Sequence, residues 1–215
     1  MNLRKATLLA MISVCYFFLL RTFSTFFSDI ISEDLFFIKL AGILNVLAGL
    51  FMVLFFLCFF KEEKTGKGAG IKTAAILSLV AYSVMLFLNI KSLLLRFNIF
   101  LLPPMDRFRH IEKAVPFFSS LALLLFFIFF HAAVIKRERT GLRQALFLAL
   151  LGSSVSAAVQ TFLVLNYFFF TGIFKWPAIC RFRIPENIAF FFIPVFVFSS
   201  FAMVYFFFIY YRSFD

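Results

Sequence analysis

Three long apolar stretches of this chain open on nearly the same four residues: Leu3-Arg4-Lys5-Ala6, Ile71-Lys72-Thr73-Ala74 and Leu142-Arg143-Gln144-Ala145. Each consists of an aliphatic residue, a base, a variable residue and alanine, at offsets of 68 and 71 residues. Repeats at a nearly fixed period indicate repeated structural units. Each unit here is long enough for two helices, so the pattern predicts three two-helix hairpins around a pseudo-threefold axis.

Two further motifs recur between the apolar stretches. Glu63-Lys64-Thr65-Gly66 matches Glu138-Arg139-Thr140-Gly141, and Arg107-Phe108-Arg109 matches Arg181-Phe182-Arg183. We therefore treat residues 1–215 as a single membrane domain with internal repeats of about 1–66, 71–141 and 142–215.

The composition of the chain is that of a membrane protein. Of its 215 residues, 64% are apolar and 39 are phenylalanine, and the mean hydropathy is +1.03, which excludes a soluble globular domain. A spanning helix needs about 20 mostly apolar residues. Six stretches qualify, at roughly 6–27, 36–60, 73–95, 114–135, 144–170 and 188–211. The sequence predicts an all-α, polytopic protein with six transmembrane helices. The first is expected to be a span rather than a signal peptide, because it matches the third and fifth in register.

The distribution of basic residues predicts the orientation. Short loops rich in Lys and Arg stay in the cytoplasm. The N-terminus, the 61–72 and 136–143 loops and the C-terminus hold 11 Lys and Arg, close to helix ends, against 10 on the other side over longer segments. We expect both termini in the cytoplasm and a location in a bacterial inner membrane. The net charge of +11 is split between two membrane faces, which favours contact with anionic lipid headgroups and not with nucleic acid.

Small residues recur on one face of the first, third and fifth helices. The layers are Ala6/Ala74/Ala145, Ala10/Ser78/Ala149, Ser13/Ala81/Gly152 and Phe17/Met85/Ser156. Small residues let membrane helices approach closely, so we expect these three helices at the centre, facing one another. The second, fourth and sixth helices carry clusters of phenylalanine, and we expect them to form an outer ring that faces lipid.

A polar layer follows the small residues on the same face. Arg21, Asn89 and Gln160 are in register, and Ser24 and Ser92 lie one turn further out. One interpretation is a ligand pocket open to the outer side, where Arg21 binds an anionic group and the two amides orient it. The other is that Arg21 extends to the headgroups while the amides hydrogen-bond across helices. The sequence leaves both open.

Four arginines lie in the segments predicted to be outer loops. Arg107, Arg109, Arg181 and Arg183 alternate with phenylalanine, a pattern typical of interfacial anchoring. Since a guanidinium binds phosphate and carboxylate groups through paired hydrogen bonds, we predict that these residues contact headgroups or another anion.

The sequence contains no pattern typical of an active site or a metal site. All ten acidic residues lie in predicted loops or at helix ends, and neither His110 nor His131 is followed four positions later by a histidine or a carboxylate. Proton- or ion-coupled transport usually needs a carboxylate within the membrane. We therefore expect no enzymatic activity, no metal and no cofactor.

The predicted function is a membrane binding or translocation module for a small solute or lipid group that enters from the outer side. The alternative is a non-catalytic structural or accessory subunit of a larger membrane complex. The expected partners are the lipid bilayer with its anionic headgroups, and a membrane protein or a second copy of the chain.

Overall fold

The computed structural model describes residues 1–26, 35–62, 69–97, 106–134, 140–170 and 188–214, without the side chains of 21, 23–26, 69, 106–109, 140, 169–170 and 188–193. These residues form six α-helices: α1 (Leu3–Phe26), α2 (Leu35–Glu62), α3 (Ala69–Arg96), α4 (Asp106–Val134), α5 (Thr140–Phe170) and α6 (Ile188–Arg212). All six are long and apolar enough to cross a membrane. A helix satisfies its own backbone hydrogen bonds, as a lipid environment requires. The prediction of six membrane-spanning helices in an all-α protein is confirmed.

The helices form a closed ring. Each packs against the next helix along the chain, and α6 packs against α1. Neighbouring helices are antiparallel: the Leu3 amide at the start of α1 donates to Glu62 Oε1 at the end of α2 over 2.8 Å. The Arg4 guanidinium lies 4.9 Å from the centre of the Tyr211 ring, so the chain begins and ends at the same end of the ring. We refer to this as the termini end and to the opposite one as the far end.

The predicted mutual packing of α1, α3 and α5 is wrong. Among the described residues, none of the extensive helix contacts joins two of these three helices. Their small residues do point inward, since six of them are fully buried: Ala6, Ala10, Ala74, Ser78, Ala145 and Ala149. The pattern predicted correctly which face is buried but not the helix against which it packs.

Each stripe of small residues packs on the helix that follows it. The Ser13 hydroxyl donates to the carbonyl of Ala48 in α2 over 2.9 Å, and the Ser78 hydroxyl donates to the carbonyl of Ala122 in α4 over 3.1 Å. Gly152 of α5 lies directly against α6. Close backbone approach of this kind is a main source of helix association in lipid.

An aromatic cluster joins α2, α4 and α6 across the centre of the ring, so the prediction that their phenylalanines face lipid is wrong for its members. The cluster consists of Phe55, Phe56, Phe59, Phe126, Phe127, Phe130, Phe206, Phe207 and Tyr210, all buried. Its rings meet edge to face, with centroids 5.1 Å apart for Phe55 and Phe207, and 4.9 Å apart for Phe127 and Phe206. Such pairs stabilise more than their buried area alone. Other phenylalanines of these helices, including Phe118 and Phe201, are exposed on the outside.

Helix α4 begins earlier than predicted. It starts at Asp106, so His110 and Glu112 belong to a helix and not to an outer loop. Pro116 consequently lies inside α4. Because proline has no amide hydrogen, the carbonyl of Glu112 lacks its helical hydrogen bond. Pro194 lies inside α6 and removes a backbone hydrogen bond there in the same way.

Candidate functional site

A cavity lies at the centre of the ring, on the far side of the aromatic cluster. Its volume is about 140 Å³, and residues of all six helices line it. The predicted layer of Phe17, Met85 and Ser156 surrounds this space, although the three helices that carry these residues do not pack on one another. An apolar cavity of about 150 Å³ accepts a benzene ring. The central cavity is therefore large enough for a group of that size or for a few water molecules.

The central cavity has two different walls. The polar wall comes from α4, α5 and α6 and consists of Ser119, Ser120, Ser153, Ser156, Gln160, Ser199 and Ser200. The opposite wall comes from α1, α2 and α3 and is largely apolar, with Val14, Phe17, Met52, Tyr82 and Met85. None of the described lining residues is charged. A charged ligand here would lose its hydration without gaining a counterion, which is strongly unfavourable.

Three of the lining serines bond to their own helices. The hydroxyls of Ser119, Ser120 and Ser153 donate to backbone carbonyls over 2.9, 2.8 and 3.0 Å, the usual arrangement for serine within a helix. Their oxygen lone pairs remain able to accept a hydrogen bond from a ligand.

The rest of the polar wall is open to new hydrogen bonds. The hydroxyls of Ser156, Ser199 and Ser200 and the amide of Gln160 make no hydrogen bond to another described residue. Ser199 and Ser200 are only 6% and 7% exposed. No buried side-chain oxygen or nitrogen of the described residues lacks a hydrogen-bond partner, so the polar groups without a bond keep access to the cavity. They are therefore suited to bind a water molecule or a ligand there.

The aromatic cluster closes the cavity toward the termini end. Phe207 belongs both to the cluster and to the cavity lining. Tyr82, on the apolar wall, stacks on Phe56 of the cluster with ring centroids 5.4 Å apart. A ligand in the cavity is thus separated from the termini end by packed rings.

Comparisons with protein-family models, with curated proteins and with solved structures found no match. Within the described residues, no group of three His, Cys, Asp or Glu side chains is placed to hold a metal ion. The described lining of the cavity can therefore bind a ligand through hydrogen bonds and apolar contacts.

The residues predicted to bind a ligand are in different places. Gln160 lines the central cavity, whereas Asn89 and Ser92 line a separate groove between α3 and α4. The structure therefore does not bring the two amides into one cavity. The side chains of Arg21, Ser24, Arg107 and Arg109 lie outside the described residues, as do Arg181 and Arg183. Anion or headgroup binding by these arginines stays a prediction.

The serines of α4 and α6 are the part of the site that sequence reasoning missed. Ser119-Ser120 and Ser199-Ser200 are adjacent pairs near the middle of apolar helices, like Ser153-Ser154 of α5. A hydroxyl pair at mid-helix in three separate spans is a recognisable signal. The repeat register runs through α1, α3 and α5 and carries no information on the serines of α4 and α6.

Proposed function

We propose that this protein is an integral membrane binding module and that a small, uncharged solute or lipid group binds in its central cavity. The single observation that carries the proposal is the polar wall, where the hydroxyls of Ser199 and Ser200 make no hydrogen bond to another described residue. Both residues are more than nine-tenths buried, but their hydroxyl oxygens remain accessible, because no buried side-chain oxygen or nitrogen of the described residues lacks a partner. Such groups are stabilised by a ligand that bonds to them. The opposite, largely apolar wall favours a ligand with an apolar body.

The proposed route runs from the far end, since the aromatic cluster blocks the termini end. Translocation would require α2, α4 and α6 to separate at the cluster. The geometry therefore supports binding, and transport would need this further conformational change. In this proposal both termini face the cytoplasm of a bacterial inner membrane, and the protein acts without catalysis.

A fluorinated aromatic alcohol tests the cavity directly. We expect para-fluorobenzyl alcohol to give a saturable ¹⁹F resonance with the protein in lipid nanodiscs, beyond the signal from empty nanodiscs. Ser156→Leu fills part of the cavity and removes a hydroxyl. It is expected to weaken saturable binding at least tenfold, or about 1.4 kcal/mol.

Ser83→Leu is the matched control, because Ser83 is exposed on the outer face of α3 and bonds only to its own helix. We expect it to bind the probe like the natural protein. Equal binding by both variants would reject the central cavity as the site. Purification with a stoichiometric second polypeptide and no saturable probe binding would instead favour the accessory-subunit alternative.

A further inference from the structure

Two more cavities lie along the interface between α3 and α4. The first, of about 360 Å³, is lined only by apolar described residues of the two helices, from Leu77 and Leu125 at one end to Val84 and Val115 at the other. The second, of about 260 Å³, contains Asn89, Ser92 and Glu112. Because Val115 lines both, the two cavities adjoin at this residue, and we call them together the α3/α4 groove.

The α3/α4 groove adjoins the central cavity. Met85 and Pro116 line both the polar part of the groove and the central cavity. Methionine has a flexible side chain that adapts to its surroundings, and Pro116 removes a hydrogen bond from the backbone of α4 at this height. The boundary between groove and cavity is therefore made of one adaptable side chain and one weakened turn of helix.

The polarity of the groove changes along its length as that of a membrane lipid does. At the far end, Lys91 and Glu112 form an ion pair of 2.6 Å with side chains 25% and 42% exposed, next to Asn89 and Ser92. Toward the middle of the ring the lining is entirely apolar. From Ser92 to Leu77 the helix rises about 22 Å, which exceeds the roughly 15 Å of hydrocarbon in one leaflet.

We propose that the α3/α4 groove is the lateral entrance to the central cavity and that its occupant is a zwitterionic glycerophospholipid of the far leaflet. One cation and one anion at the polar end, Lys91 and Glu112, match a headgroup that carries both charges. One acyl chain lies along Leu77, Val84 and Leu125, and the other reaches the cavity between Met85 and Pro116. This inference rests on the proposed function, because it names the ligand class and route for the same cavity.

Photo-crosslinking with a phosphatidylcholine that carries a diazirine in its acyl chain tests the proposal on the full chain in nanodiscs. Adducts mapped by mass spectrometry are expected to concentrate on groove residues such as Val80 and Val84 and on the cavity residue Met203. Equally exposed residues outside the groove, such as Phe162 and Leu165 on α5, are expected to carry few. A phosphatidylglycerol probe is expected to label the groove less than the zwitterionic one.

A tryptophan in the apolar part of the groove should displace the chain. Ala81→Trp places a large ring among the lining residues, and we expect groove and Met203 adducts to fall by about tenfold, or about 1.4 kcal/mol of affinity. Val80→Trp is a second variant with the same expected result. Because Val80 is 55% exposed, a larger side chain at this position does not disturb the packing of the helices. Ala158→Trp on the exposed face of α5 is the control and should leave the adducts unchanged.

Three outcomes would overturn the proposal. Adducts spread over all six helices in proportion to exposure would reject a specific groove. Groove adducts without any on Met203 would reject passage into the cavity, and stronger labelling by phosphatidylglycerol would reject the zwitterionic occupant. If fluorobenzyl alcohol binding is still lost in Ser156→Leu, the central cavity stands and the lateral entrance alone is wrong.

Discussion

Replacing Phe126 with alanine is expected to lower the free energy of unfolding by about 3 kcal/mol. The Phe126 ring is fully buried and contacts five other rings, those of Phe55, Phe56, Phe59, Phe127 and Phe130. In lipid the loss comes from packing and not from transfer out of water, because the surrounding hydrocarbon is as apolar as the core. Removing the Phe126 ring leaves a cavity, and the neighbouring aromatic rings lose their edge-to-face contacts with it.

Unfolding by sodium dodecyl sulfate in mixed micelles, followed by circular dichroism, measures this change. Phe201→Ala is the control, since Phe201 is 61% exposed on the outer face of α6, and its unfolding midpoint should match that of the natural protein. If Phe126→Ala were no less stable than Phe201→Ala, the aromatic cluster would not be the centre of the ring.

Replacing Gly152 with alanine is expected to lower stability by about 2 kcal/mol through overpacking. A methyl group there would lie 2.9 Å from Ala202 Cβ and 3.2 Å from the Ser199 backbone Cα. The backbone cannot yield as a flexible side chain would, so α5 and α6 must move apart. Because Ser199 lines the central cavity, the same change should also weaken binding of para-fluorobenzyl alcohol.

Gly141→Ala is the opposite case on the same helix. Nothing lies within 4 Å of a methyl group added at Gly141, and alanine favours a helix over glycine by up to about 1 kcal/mol. We expect this variant to be as stable as the natural protein or slightly more so in the same unfolding measurement. Equal effects of the two substitutions would show that α5 and α6 are not in close contact at Gly152.

The positions of the six helices follow from the sequence because long apolar runs are the strongest signal a membrane protein carries. The start of α4 was missed for a physical reason. Six of the eight residues 106–113 are polar or charged, and hydropathy alone assigns this segment to a loop, although it continues the helix. The repeat of the three hairpins and the pseudo-threefold axis stay predictions of the sequence pattern.

The stripes of small residues on α1, α3 and α5 do not predict the order of the helices around the ring. Ala6, Ala74 and Ala145 show which side of each helix is buried, but small residues pack equally well on any close neighbour. The aromatic cluster did leave a signal, since Phe55, Phe56 and Phe59 recur as Phe126, Phe127 and Phe130, and as Phe206, Phe207 and Tyr210. That spacing places three rings on one face of each helix. In a helix that only faces lipid, the aromatic residues would not have to lie on one face.

The candidate site was predictable in part for the same reason. Register along the helix gives the depth of a residue, and Ser156 and Gln160, which follow the same stripe of α5, both line the central cavity. Register does not fix the direction in which a side chain points around the ring. Asn89 therefore lies in the α3/α4 groove although its depth matches that of Gln160.

Native mass spectrometry of the protein released from lipid nanodiscs tests the central claim most directly, because it detects a ligand without knowing its identity. The natural protein is predicted to carry a neutral molecule or a lipid of discrete mass, present also in Ser83→Leu and lost in Ser156→Leu. Detection of the same bare protein in all three, or of an adduct that Ser156→Leu retains in full, would contradict binding in the central cavity.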